Sequence, residues 1–230
     1  MKIILLLGVL CLVTYWPAFD NQFISDDYVL LERVESWRAD PFYLFSISPE
    51  HFRMTTYAAF LSLKSVFGYH SGAFYAMAVL LHFLNTLLLW KLVGRSTGNS
   101  TVALLSAVFF ASFQDPQEAV MWLAAMNELL LGLFLLATLI LWQRGRFFWS
   151  AVCYCGAIFS KESAPLVVAM ILTLELWTGG RVRLGRRYLF LLVPTRLALF
   201  TYVASDNSLI QSGAYSLTAH SVGVWMKTLA

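Results

Sequence analysis

Charge is what this chain has least of. Asp, Glu, Lys and Arg make up 13% of its 230 residues, where a soluble domain carries roughly a quarter. So little charge argues against an ordinary water-exposed surface. Cysteine is scarce as well. Cys11, Cys153 and Cys155 all lie inside apolar runs, so they read as packing residues. They make no disulfide framework, and Cys-x-Cys alone is a weak metal signal. Internal repeats and low-complexity segments are also lacking. The formal net charge of +3 gives no reason to expect nucleic acid as a partner.

What is present is apolar and aromatic. Hydrophobic residues make up 59% of the chain, with 8 Trp, 10 Tyr and 18 Phe, and the mean hydropathy is +0.69. Apolar runs recur along its length, which predicts an all-α polytopic membrane protein forming a single membrane domain over residues 1–230. A first span covers about residues 2–19. It reads as uncleaved, because Thr14-Tyr15-Trp16-Pro17-Ala18-Phe19 is too bulky for a small-residue cleavage site. Residues 20–69 form the longest polar stretch, with Pro41 and Pro49 as breakers, and are expected to hold short helices lying along the membrane surface. Spans two to seven fall within residues 70–204, near 71–93, 101–113, 126–142, 147–159, 164–177 and 188–204, followed by a polar tail over 205–230.

Charge sorts onto the two faces of this map. With the N-terminus in the cytoplasm, the inner ends carry Lys2, Lys91, Arg95, Arg144, Arg146, Arg181, Arg183, Arg186 and Arg187, nine of the 16 basic residues. This agrees with the positive-inside rule at each link. Twelve of the 13 acids fall on the outer face, and Glu175 alone lies inside. The outer, extracytoplasmic or lumenal, face is therefore the candidate site.

The chemistry gathers around Asn21–Leu31, where Asp26 and Asp27 stand side by side. Adjacent carboxylates next to a membrane suggest a counter-charge, a metal or a substrate, and one of them suits a general base. The alternative is a solvated pair capping a short helix. Arg53, at the start of an apolar segment on the same face, suits a phosphate, or snorkels to lipid headgroups. Lys161-Glu162, between two apolar runs, marks a site, or closes a helical hairpin as a neutral pair. Glu118 and Glu128 are candidates for an acceptor or metal site, against a plain role as acids at a helix N-terminus. No cofactor is specified, and no metal-ligand spacing singles out a divalent ion. His82 and Asn85 share a helix face and predict interhelical hydrogen bonds. The run Arg181–Arg187 reads as a topology anchor touching anionic lipid.

The order of these features resembles the GT-C glycosyltransferases that use a polyprenyl-phosphate sugar. It is most similar to the protein O-mannosyltransferase group and its tetratricopeptide-repeat-bearing relatives. The resemblance rests on Phe23-Ile24-Ser25-Asp26-Asp27-Tyr28, Phe52-Arg53-Met54-Thr55-Thr56-Tyr57, Phe67-Gly68-Tyr69-His70 and His82-Phe83-Leu84-Asn85-Thr86-Leu87-Leu88. Asp115-Pro116-Gln117-Glu118 through Asn127-Glu128-Leu129-Leu130, and Ser160-Lys161-Glu162, complete it. It implies a GT-C-like bundle of about seven transmembrane helices with interfacial helices in the first outer loop. It also implies Asp26 as catalytic base with Asp27 assisting, and Arg53, Lys161 and Glu162 at the lipid phosphate. The chain departs from the family where Arg-Pro is replaced by Arg53-Met54 and Arg-x-Asp by Asn127-Glu128. Apolar character returns over Val222–Ala230, and the expectation is a fragment or a shortened relative.

The function expected is inverting transfer of a sugar from a polyprenyl-phosphate donor to a hydroxyl on a protein, lipid or glycan acceptor. The alternative is a non-catalytic or truncated membrane relative that binds the lipid carrier or serves as a partner subunit.

Overall fold

A computed structural model describes residues 2–40, 42–43, 53–113, 117–179 and 185–203. Expectations resting on Glu50, His51, Phe52, Asp115, Arg181, Arg183, Asp206 and the tail over 205–230 lie outside the described residues.

Among the described residues all regular structure is helical. In order come α1 (Lys2–Thr14), α2 (Asp26–Ala39), α3 (Met54–Phe67), α4 (Ser71–Thr97) and α5 (Ser100–Ser112). Then follow α6 (Gln117–Met121), α7 (Met126–Gln143), α8 (Phe147–Ile158), α9 (Leu166–Gly179) and α10 (Leu189–Val203). Short 3-10 turns occupy Trp16–Asp20, Leu123–Ala125 and Arg186–Tyr188.

Two stretches are long and apolar enough to cross a membrane: α4, with 27 residues, and Leu123–Gln143, with 21. At 1.5 Å per residue they reach about 40 and about 30 Å, enough for a hydrocarbon layer of about 30 Å. About 33% and 44% of their apolar windows are fully buried, and most of the remaining residues are half-covered. The apolar helices α1, α5, α8 and α9 are shorter.

Helix ends follow from local chemistry. The apolar run of α4 fades at Val93, yet the helix continues to Thr97. Its Ser96 and Thr97 hydroxyls donate back to Leu92 and Val93 carbonyls at 2.8 Å, and Gly98 at φ 66° closes it. Asn99 then caps α5, accepting the Thr101 and Val102 N–H groups at 2.9 and 3.1 Å. The expected polar link 94–99 is therefore mostly helix. The first apolar run, expected to 19, stops as an α-helix at Thr14, and Pro17 sits in the 3-10 turn that follows.

Helix α4 is the axis of the bundle, packing against α1, α5, α7 and the Trp16–Asp20 turn. His82 and Asn85 both make the expected interhelical bonds, but to different neighbours. Asn85 Nδ2 donates to Leu129 O on α7 at 2.9 Å, and His82 Nε2 meets Ala111 O on α5 at 3.4 Å. Close approach is set by small residues. The face of α5 toward α4 is Ala103, Ala107 and Ala111, spaced by one turn and fully buried. On α8, a Cβ added at Gly156 would lie 2.7 Å from the Phe134 ring of α7.

Connections segregate to two ends. At one end, Ser71 Oγ and Tyr75 OH donate to Asn21 O and Gln22 O at 2.9 and 3.2 Å. At the other, Gln143 Nε2 donates to Ser96 Oγ at 2.8 Å. There too Glu175 takes the Trp142 indole N–H at 2.7 Å and the Tyr188 hydroxyl and Arg187 guanidinium at 2.8 Å each. This joins α7, α9 and the 186–188 turn around one carboxylate.

Gly156→Ala forces the Phe134 ring aside and is expected to lower stability by about 1–3 kcal/mol. Thermal unfolding in detergent measures it; an unchanged midpoint contradicts the close packing of α7 on α8.

Candidate functional site

The acidic pair is split by the helix it begins. Asp26 and Asp27 occupy the first turn of α2, about 100° apart around its axis, and meet different surroundings. Asp27 is fully buried, at the head of the apolar stripe Leu30, Leu31 and Val34. Its Oδ2 accepts the Ile24 N–H at 2.9 Å and its Oδ1 accepts the Ala124 N–H at 2.7 Å. Burial pushes the Asp27 carboxyl above the ordinary carboxylate range. The two N–H donors pull it back down, and the charge of Asp26 adds to the rise.

Asp26 is exposed, and the Ser25 hydroxyl donates to its Oδ1 at 3.2 Å. Ser25 itself sits at φ 40°, a conformation that residues with a Cβ seldom adopt. Such strain recurs where a neighbouring side chain must be aimed.

The partner of Asp27 is backbone from a distant segment. Ala124 belongs to the 3-10 turn before α7, and that turn is braced from a second side. Asn127 is buried, and with its amide turned so that the nitrogen faces them it donates to Ala124 O and Ala125 O at 3.1 and 3.3 Å. Its neighbour Glu128 lies in the first turn of α7.

Lys161 and Glu162 do not pair with each other. Lys161 forms an ion pair with Glu128, and Glu162 lies 3.9 Å from Arg53. Adjacent residues in one turn thus reach two different helix starts, since Arg53 is the residue before α3. Backbone and hydroxyls secure the same junction. The Thr55 N–H donates to Phe159 O at 3.2 Å, and its hydroxyl meets Ser160 Oγ at 2.8 Å. Helix α3 is in turn held to α2 by Lys64–Glu35 at 2.6 Å and by Arg33 Nη1 donating to Tyr57 OH at 3.4 Å. The hydrogen bond from Lys64 holds the Glu35 carboxyl below its ordinary range.

These contacts bring Asp27, Glu128, Lys161, Glu162 and Arg53 to one end of the bundle, with Asp26 on the exposed side of α2. Glu118 stands apart in the first turn of α6, exposed and without an ion pair among the described residues. No three His, Cys, Asp or Glu side chains gather into a metal-holding group among the described residues. Cys11, Cys153 and Cys155 are free thiols. Sequence reasoning passed over Thr55, Ser160 and the Ala124 N–H, and nothing in the residue type of Ala124 signals its part.

Asp27→Ala removes the acceptor of the Ile24 and Ala124 N–H groups and is expected to cost about 1–3 kcal/mol. Asp26→Ala should change stability by no more than about 0.5 kcal/mol. Equal destabilisation of the two in thermal unfolding contradicts the division. The pH dependence has a definite sign. A carboxyl raised by folding stabilises the fold below its unfolded range and loses that contribution as pH climbs through the raised value. The stability of wild type relative to Asp27→Asn should therefore fall as pH rises through that window; a rise would contradict it.

No protein-family model, curated protein or solved structure matches this chain.

Proposed function

We propose that this chain is a membrane glycosyltransferase that moves a sugar from a polyprenyl-phosphate donor to an acceptor hydroxyl on the outer face, with inversion. The framework of the reading is a GT-C-like, multi-pass bundle of about seven spans, with α2 and α3 at the outer membrane surface and the N-terminus in the cytoplasm. One observation carries it. An exposed carboxylate, Asp26, and two cations, Arg53 and Lys161, sit on segments that hydrogen bonds and ion pairs tie together at one end of the bundle.

In this reading Asp26 takes the proton of the acceptor hydroxyl. The acceptor oxygen attacks the anomeric carbon from the side opposite the phosphate, and the bond from that carbon to the phosphate oxygen breaks. The lipid leaves as its phosphate, whose growing charge is met by Arg53 and Lys161. Asp27 holds the start of α2 against the turn before α7 and so aims its neighbour. Glu118 is left for the acceptor.

A second reading has one observation in its favour: both cations already carry carboxylate partners, Glu162 and Glu128. A non-catalytic member that binds the lipid carrier, or serves as a partner subunit, is compatible with that.

Transfer from radiolabelled polyprenyl-phosphate sugars by purified wild type and Asp26→Asn separates the two. Loss of a general base is expected to lower kcat by about 10²- to 10⁴-fold. Full activity in a folded Asp26→Asn protein sinks the base assignment. Binding of the carrier without transfer by wild type favours the second reading.

A further inference from the structure

Four charges at the Asp27 end of the bundle form two neighbouring ion pairs. Lys161 and Glu162 are consecutive, and their partners lie on opposite sides, so the order runs Arg53, Glu162, Lys161, Glu128. The signs alternate and the formal sum is zero. In both pairs the cation is the less exposed member: 32% for Arg53 against 48% for Glu162, and 25% for Lys161 against 40% for Glu128. The pair at the opposite end is built the other way. Glu175 is the deeper member, 11% exposed against 27% for Arg187, and it also holds Trp142 and Tyr188. That acid is fastened in place, whereas Glu128 and Glu162 are more exposed and have no comparable set of donors among the described residues. The Arg53 Nε–H adds an independent mark, being buried and without a hydrogen-bond acceptor among the described residues. One donor of the guanidinium fork is thus open while its Nη2 faces Glu162.

We infer that Glu128 and Glu162 are resident counter-ions of a phosphate subsite, which a lipid-borne phosphate displaces from Lys161 and Arg53. The inference rests on the functional reading above and deepens it. A phosphate entering the neutral series would meet two carboxylates as well as two cations, and the repulsion offsets the attraction. If each acid swings into the adjacent water, the cations keep their positions and the phosphate takes over their hydrogen bonds. Arg53 can then offer Nε and an Nη together, the two-point geometry that suits a phosphate oxygen pair. The acids thereby keep two cations compensated in the absence of donor and make binding an exchange of partners.

The test is equilibrium binding of a short-chain polyprenyl monophosphate in detergent micelles, with the matching polyprenol and inorganic phosphate as separate probes. Glu128→Gln and Glu162→Gln keep shape and remove the competing charge. Each is expected to bind the monophosphate about two- to fivefold tighter than wild type, the factor that release of a partly exposed ion pair allows. Binding of the polyprenol should be unchanged, and Lys161→Gln should bind the monophosphate more weakly. Wild type that prefers the monophosphate to the polyprenol, with neither Gln variant binding tighter, overturns the counter-ion role and leaves the functional reading standing. Wild type that does not distinguish monophosphate from polyprenol removes the donor site itself, and the inference with it. Inorganic phosphate binding as tightly as the lipid overturns the lipid-borne source. Thermal unfolding of each variant checks folding, and if Glu128→Gln is unstable, Glu162→Gln, altering the looser pair, decides.

Discussion

The hydrogen bond from the Ala124 N–H to the Asp27 carboxylate, 2.7 Å long, holds one end of this protein together. A buried carboxyl with no water must find donors in the protein, and here both of its oxygens find backbone. The bond spans 97 residues of sequence, joining the segment after α1 to the turn before α7. From that turn the connection continues through Glu128 to Lys161, and from the adjoining Glu162 to Arg53 and α3. Helix α3 packs back on α2, closing a ring of segments around the end of the bundle. Asp26 takes its exposed position because its neighbour is fixed.

Beneath this end, packing and polarity divide the work. The small residues Gly156, Ala103, Ala107 and Ala111 let helices approach, which gains dispersion contacts. The polar groups on α4 give the packing a register. Asn85 has a carbonyl on α7 to find and His82 one on α5, and a helix rotated by a few residues would lose both. On the other face of α5, Val102, Leu105 and Phe109 are exposed. Such a surface suits a surrounding of hydrocarbon.

Much of the helical order was legible in the sequence, because apolar runs and polar links alternate with few exceptions. The starts of α4, α7 and α8 fall where the runs begin. The misjudged boundaries have local causes: hydroxyls that bond backward extend α4 to Thr97, and Pro17 turns the end of the first run into a 3-10 turn. The candidate residues can be named from the sequence, but their partners cannot. Asp26 and Asp27 look equivalent in one dimension, and only helix rotation and a backbone donor nearly a hundred residues away tell them apart. Lys161 and Glu162 invite pairing by adjacency, yet consecutive residues in a turn point apart. Their partners, Glu128 and Arg53, follow from how α3, α7 and the 159–165 turn are stacked, which no local pattern encodes.

Glu175 has a consequence in time. A ribosome makes the chain from its N-terminus, so Trp142 is already present when Glu175 appears, while Arg187 and Tyr188 arrive 12 and 13 residues later. Until then the carboxylate of α9 has one neutral donor and no opposite charge in its final set. The positive residues that follow α9 are therefore more than a label for one face. The guanidinium of Arg187 brings an opposite charge to the Glu175 carboxylate.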